Sequence, residues 1–92
     1  MNITIIGNPQ RNGDTISALA TTLTEAGINV RYPAENALNT TEDISLEETF
    51  DRIDWSDWTI IIPIEGISFD RSSTGAMAYA KHIHKPIFIY YS

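Results

Sequence analysis

Residues 3–20, Ile3-Thr4-Ile5-Ile6-Gly7-Asn8-Pro9-Gln10-Arg11-Asn12-Gly13-Asp14-Thr15-Ile16-Ser17-Ala18-Leu19-Ala20, join an apolar run to a segment of helical periodicity through a polar, glycine-containing loop. The run from Asn2 to Gly7 is β-branched and too short for a helix, which suits a strand covered on both faces. From Thr15 the apolar positions Ile16, Leu19, Ala20 and Leu23 recur at spacings of three and four. Asp14 is placed to cap the first turn of that helix and Gly27 to end it. A buried strand leading into an amphipathic helix is the opening unit of a parallel α/β fold.

The rest of the chain repeats the unit. Ile28 to Tyr32 reads as a second strand stopped by Pro33, followed by the polar segment 34–43. Ser45-Leu46-Glu47-Glu48 has the form of a capping box, and Leu46, Phe50 and Ile53 make one apolar helix face. Trp58 to Ile64 is a third buried strand with Pro63 near its end, and a helix from Thr74 to Ile83 stops at Lys85-Pro86. Ile87 to Tyr91 is a fourth strand. Strands alternating with helices pair in parallel through right-handed crossovers, so one small flavodoxin-like (Rossmann-like) three-layer domain spanning 1–92 is predicted, with a four-stranded parallel sheet of order 2-1-3-4.

Composition narrows the partners. The 92 residues contain no cysteine, which excludes disulfides and thiolate metal sites. His82 and His84, two apart, do not form the i, i+4 pair of a helical metal site, and the helix C-terminus gives them a sufficient role. No segment approaches the ~20 apolar residues of a membrane span, and MNITIIG lacks the basic start of a signal peptide. A cytoplasmic protein without a membrane partner is expected. The net charge of −6 is carried by residues 42–57, where Glu42, Asp43, Glu47, Glu48, Asp51, Asp54 and Asp57 face Arg52 alone. Such a chain does not bind nucleic acid directly, because phosphate backbones demand a basic footprint.

In open parallel sheets ligands bind beyond the carboxyl ends of the strands, where strand order reverses. That rule brings GNPQRNGDT beside IEGISFDRSST. In the first loop Arg11, Asn12 and Thr15 supplement helix N-terminal amides that suit an anion; a plain strand-to-helix turn capped by Asp14 is the ordinary alternative. In the second, Arg71, Ser73 and Thr74 meet at a helix start, where capping by Ser72 or Ser73 explains part of the pattern. Glu65 and Asp70 are a candidate carboxylate pair for glycosidic chemistry, against the commoner role of solvated loop acids. Trp55 and Trp58 flank Asp57; packing at the core or its rim outweighs base stacking for both, with Trp58 starting a buried strand.

Two resemblances add to this. Gly7, Pro9, Gly13 and Thr15 resemble the GSPRxxGNT phosphate loop of NADPH-dependent FMN reductases, with Asn8, Gln10 and Asp14 departing from it. Asp57, Tyr79-Ala80 and Lys85-Pro86 resemble the C-terminal part of the nucleoside 2-deoxyribosyltransferase family, which has an Asp before the third strand, a helix carrying ExGYA and a KP turn. The family's nucleophilic Glu falls on Ala76 and its Gly on Ala78. An alanine cannot form the glycosyl-enzyme intermediate that a carboxylate makes.

The resemblance implies a nucleoside-type pocket without the reaction: non-catalytic binding, for sequestration or sensing, of a nucleotide, nucleoside or phosphorylated ribosyl ligand. Arg11, Asn12, Thr15, Arg71, Ser73 and Thr74 would hold its anionic part, and Asn8, Asp57 and Glu65 its sugar or base. No cofactor is expected, FMN being disfavoured by Gln10, Asp14 and the short chain. The aromatic last strand, if an edge, calls for cover by a second subunit, hence a homodimer. One alternative is an acidic inhibitor of the virus-encoded kind, in which Glu47, Glu48, Asp51 and Asp54 mimic nucleic acid and block a basic DNA-binding protein; a solvated helix face is the commoner explanation of such carboxylates. A second is an active N-glycoside transferase or hydrolase, or a small flavoprotein.

Overall fold

A computed structural model describes residues 1–33, 42–63, 69 and 71–91, and the side chains of all of these except 9, 10, 42–46, 71 and 72. The elements are β1 (Asn2–Ile6), α1 (Pro9–Glu25), β2 (Asn29–Arg31), α2 (Glu42–Trp55), β3 (Trp58–Ile61), α3 (Arg71–His82) and β4 (Ile87–Ile89). All pairings are parallel and the sheet order is β2-β1-β3-β4, as predicted. Ile3 pairs with Trp58 and Ile6 with Ile61, so β1 and β3 run level from end to end.

Alternation along the strands sends side chains to two faces. Ile5 and Ile62 lie on one, against Ile16, Ala20, Leu19 and Leu23 of α1. Ile6 and Ile61 lie on the other, against Ile53 of α2 and Ala76 and Ala80 of α3. Ile5, Ile53, Ile61 and Ile62 are wholly buried, each contributing roughly 1.5–3 kcal/mol. One helix covers the first face and two cover the second. That asymmetry corrects the expectation for Trp58: it begins β3 but is 39% exposed, its ring 4.9 Å from that of Phe88 (46% exposed). Both lie on the face covered by α1, whose apolar stripe packs against Val30 of β2, Ile5 of β1 and Ile62 just after β3.

The ends of α1 and α3, at the amino side of the sheet, are closed alike. The amides of Gly27 and Ile28 donate to Thr24 O (3.0 Å) and Leu23 O (3.1 Å), with Gly27 at φ +86°. The amides of His84 and Lys85 donate to Lys81 O (3.2 Å) and Ala80 O (2.8 Å), with His84 at φ 59°. These are paired six-to-one and five-to-two closures that satisfy the last carbonyls of α1 and α3.

The helix starts differ from expectation, each beginning earlier. Helix α1 starts at Pro9, not Thr15, with a first turn set off from the rest by the non-helical Asn12; Asn8 caps that turn, its Oδ1 accepting the Arg11 amide at 3.2 Å, and Pro9 takes the first helical position, where its missing N–H costs nothing. Asp14 therefore lies inside the helix. Helix α2 starts at Glu42, which puts Ser45 inside it and not at its start. Helix α3 starts at Arg71, so Ser72 and Ser73 belong to its first turn and do not precede it.

Candidate functional site at the carboxyl ends of the strands

Helix α1 follows β1 directly, and α3 runs back from the carboxyl end of β3 to the start of β4. Both helices therefore begin at the carboxyl ends of two adjacent strands, on opposite faces of the sheet. This is the reversal point of a 2-1-3-4 order. A close approach builds it: a Cβ at Gly7 would stand 3.1 Å from Ile16 Cδ1 and 3.5 Å from Ile62 Cβ, so the bare glycine lets α1 settle over the end of β1.

Helix α1 is kinked at Asn12, whose φ of −120° and ψ of 20° are not helical. Asn12 is 8% exposed and its Oδ1 is buried without a partner. Across the sheet, Ser73 in the first turn of α3 is 1% exposed. Arg11 and Thr74 are exposed, and Thr15 is half-buried. Topology thus brings Asn8, Arg11, Asn12, Thr15, Arg71, Ser73 and Thr74 to one end of the sheet. Glu65, Asp70 and most of the segment IEGISFD lie outside the described residues. Asn8 is there as a structural cap.

Asp57 is a correction. It sits at the opposite, amino end of β3, where its Oδ2 accepts the Asn2 amide at 2.8 Å and its own amide donates to Asn2 O at 2.7 Å. It is level with Asn2, five residue steps from Gly7, roughly 16 Å at about 3.3 Å per residue. A ligand at the carboxyl ends does not meet it. Asn2 Nδ2 donating to Trp55 O (3.3 Å), Asn29 Nδ2 donating to Asn2 Oδ1 (3.1 Å) and Lys85 Nζ donating to Ser56 O tie the same amino end together. Trp55 is half-buried under the Arg31 guanidinium, 4.3 Å from its ring centroid, in agreement with rim packing.

Ala76, the position equated with a nucleophilic Glu, is wholly buried in the cluster of Ile6, Ile53, Ile61 and Ala80. Nearby, Tyr79 stacks on Phe50 with centroids 4.4 Å apart, and its hydroxyl donates to Asp54 Oδ1 at 2.6 Å. That hydrogen bond, with desolvation and the charges of Asp54 and Asp51, raises the Tyr79 pKa. Glu47, Glu48, Asp51 and Asp54 are all exposed on α2. Arg52, the sole cation of α2, is half-buried, with Nη2 donating to Thr49 Oγ1 at 3.3 Å and Nε unpartnered. Burial lowers its pKa, against the opposing pull of Glu48. Among the described residues no group of three or more His, Cys, Asp and Glu side chains is arranged to hold a metal ion, and no helix is long and apolar enough to cross a membrane.

Two solved structures resemble the chain over almost its whole length. One is the CMP N-glycosidase BcmB of Clostridium botulinum, at 17% identity and a TM-score of 0.76, covering 99% of this chain and 71% of that one. The other is the 2-deoxyribosyltransferase of the psychrotolerant bacterium Bacillus psychrosaccharolyticus, at 19% and 0.77, covering 99% and 72%. No protein-family model and no curated protein matches the sequence. At such identities the likeness establishes the fold: the chain has the flavodoxin-like fold of the nucleoside deoxyribosyltransferases.

Proposed function

We propose that the protein binds a nucleotide, nucleoside or phosphorylated ribosyl ligand beyond the carboxyl ends of β1 and β3 without breaking its glycosidic bond. The observation that carries this is the buried Ala76, where the resemblance would require a nucleophilic carboxylate. The shared fold supports the ligand class, since both neighbours are described by reactions of nucleosides or nucleotides. The two helix starts support the position, because the positive ends of their dipoles favour an anionic group. Arg11, Thr15, Arg71, Ser73 and Thr74 contribute the polar contacts, and no cofactor takes part.

The test is a thermal-shift panel of nucleosides, their 5′-monophosphates and ADP-ribose, with chromatography of the same mixtures for released base. A ligand present at about 100 times its Kd stabilises the fold by roughly 2.7 kcal/mol. A shift without released base is expected. Released base would return the chain to the transferases and hydrolases, and a panel without any shift would remove the binding function.

The same proposal includes a homodimer that covers the exposed aromatic strip of Trp58, Phe88 and Tyr90 along the β4 edge. Sedimentation should give twice the monomer mass, and Phe88→Lys should return the monomer.

A second reading is favoured by one observation: the four carboxylates Glu47, Glu48, Asp51 and Asp54 are exposed over two turns of α2 while Arg52 is half-buried. In that case α2 docks a basic nucleic-acid-binding protein. Salt-sensitive association lost on neutralising the four acids is the expected result, and association unchanged by that variant excludes it.

A further inference from the structure

Three side-chain polar atoms among the described residues are buried without a partner: Asn12 Oδ1, Arg52 Nε and Thr59 Oγ1. Thr59 is mid-sheet, paired with Thr4 and Ile87, where no solute reaches. Arg52 has Thr49 at another nitrogen. Asn12 alone stands where a ligand can complete it. It heads the stripe Asn12, Ile16, Ala20, spaced by four along α1, whose lower members pack on Ile5 and Ile62. One turn above Ile16, and so beyond the close contact of Gly7 with Ile16, this stripe passes the ends of β1 and β3. The kink is at Asn12 itself. A buried amide oxygen left without a donor is costly, and native interiors fill nearly all such positions.

We propose that Asn12 is the residue that reads the neutral part of the ligand, its Oδ1 accepting a hydrogen bond from a sugar hydroxyl or from a base N–H. This rests on the binding function proposed above and revises one role within it. An acceptor oxygen repels phosphate, so Asn12 Oδ1 does not hold the anion. Sites that hydrogen-bond a ligand donor reject analogues lacking it, because the buried acceptor then stays unpaired.

Calorimetric titration of the wild type, Asn12→Ala and Asn12→Leu tests this with four kinds of probe: cytidine and adenosine monophosphate, the free bases, ribose 5-phosphate and inorganic phosphate. Loss of the acceptor should weaken the probe that supplies the donor about tenfold and leave inorganic phosphate unchanged. The free bases and ribose 5-phosphate tell a base N–H from a sugar hydroxyl. The unliganded Asn12→Leu protein should melt at or above the wild-type temperature, since an unpaired polar atom has been removed. Wild-type binding that survives in both variants overturns the role of Asn12 and leaves the binding function standing. A lower melting temperature of unliganded Asn12→Leu, with affinity unchanged, assigns Asn12 to the kink and overturns it equally. A wild type that binds none of the probes removes both.

Discussion

Asn2 and Asp57 hold one another by reciprocal hydrogen bonds, the Asn2 amide donating to Asp57 Oδ2 at 2.8 Å and the Asp57 amide to Asn2 O at 2.7 Å. The side chain adds a bond beside the parallel ladder of β1 and β3, remote from the candidate site. Asp57→Ala should therefore cost about 1 kcal/mol, or roughly 4–8 °C for a domain of this size. Ligand affinity should not change. A thermal melt and a titration on the same sample check both, and a selective loss of affinity would return Asp57 to the site.

Asn8 caps α1 through Oδ1. Asn8→Ala should destabilise by about 1 kcal/mol, while Asn8→Ser or Asn8→Asp should remain close to wild type. Denaturant titration resolves the difference.

Ala76→Glu would restore the carboxylate that the resemblance calls for, but into the cluster of Ile6, Ile53, Ile61 and Ala80. A buried carboxyl without a partner costs several kcal/mol in effect and shifts toward its neutral form. The expected result is a protein that is largely unfolded near neutral pH, by circular dichroism. A folded variant that releases base from a nucleoside would show that the position faces the pocket.

Tyr79 has a raised pKa, caused first by its hydrogen bond to Asp54. A raised pKa in the folded state means stability that is fully present below the unfolded pKa and is lost as pH climbs through it toward the folded value. Wild-type melting temperature should therefore fall above pH ~10, the ordinary tyrosine value, more steeply than that of Tyr79→Phe. Asp54→Asn should bring the Tyr79 titration back toward that value in ultraviolet absorbance.

Thr59 Oγ1 is buried without a partner in the middle of β3. Thr59→Val keeps the shape, relieves the hydroxyl and suits a strand, and should raise stability by about 1 kcal/mol. A loss of stability would mean that a bound water serves the hydroxyl.

Strands and their order were readable because period and length are local properties. Ile3 to Ile6 and Trp58 to Ile61 are apolar and bounded by polar residues or proline, and parallel crossovers leave few orders to choose from. Gly27 and Lys85-Pro86 marked two helix ends for the same reason. The starts were misplaced because capping is competitive: Asn8, Asp14, Ser45 and Ser73 are all capping residues, and which one wins depends on packing along the whole helix. At the site, the polar residues of the two loops could be gathered at one end of the sheet by topology, with Asp57 misjudged because its position beside the third strand does not say which end of that strand it serves. The isolation of Asn12 Oδ1 depends on a kink in α1 and left no mark beyond an Asn-Gly pair.

The bonds among Asn2, Trp55, Asp57, Asn29, Ser56 and Lys85 gather at one end of the sheet, opposite the helix starts. The amino end of the sheet is therefore the part of the frame that the chain cannot trade away. At the other end Arg11 is exposed and Thr15 half-buried, so these two can be exchanged while that frame stands. A library restricted to positions 11 and 15 should yield mostly folded proteins, whereas the same diversity placed at positions 2, 29, 55, 56, 57 and 85 should not.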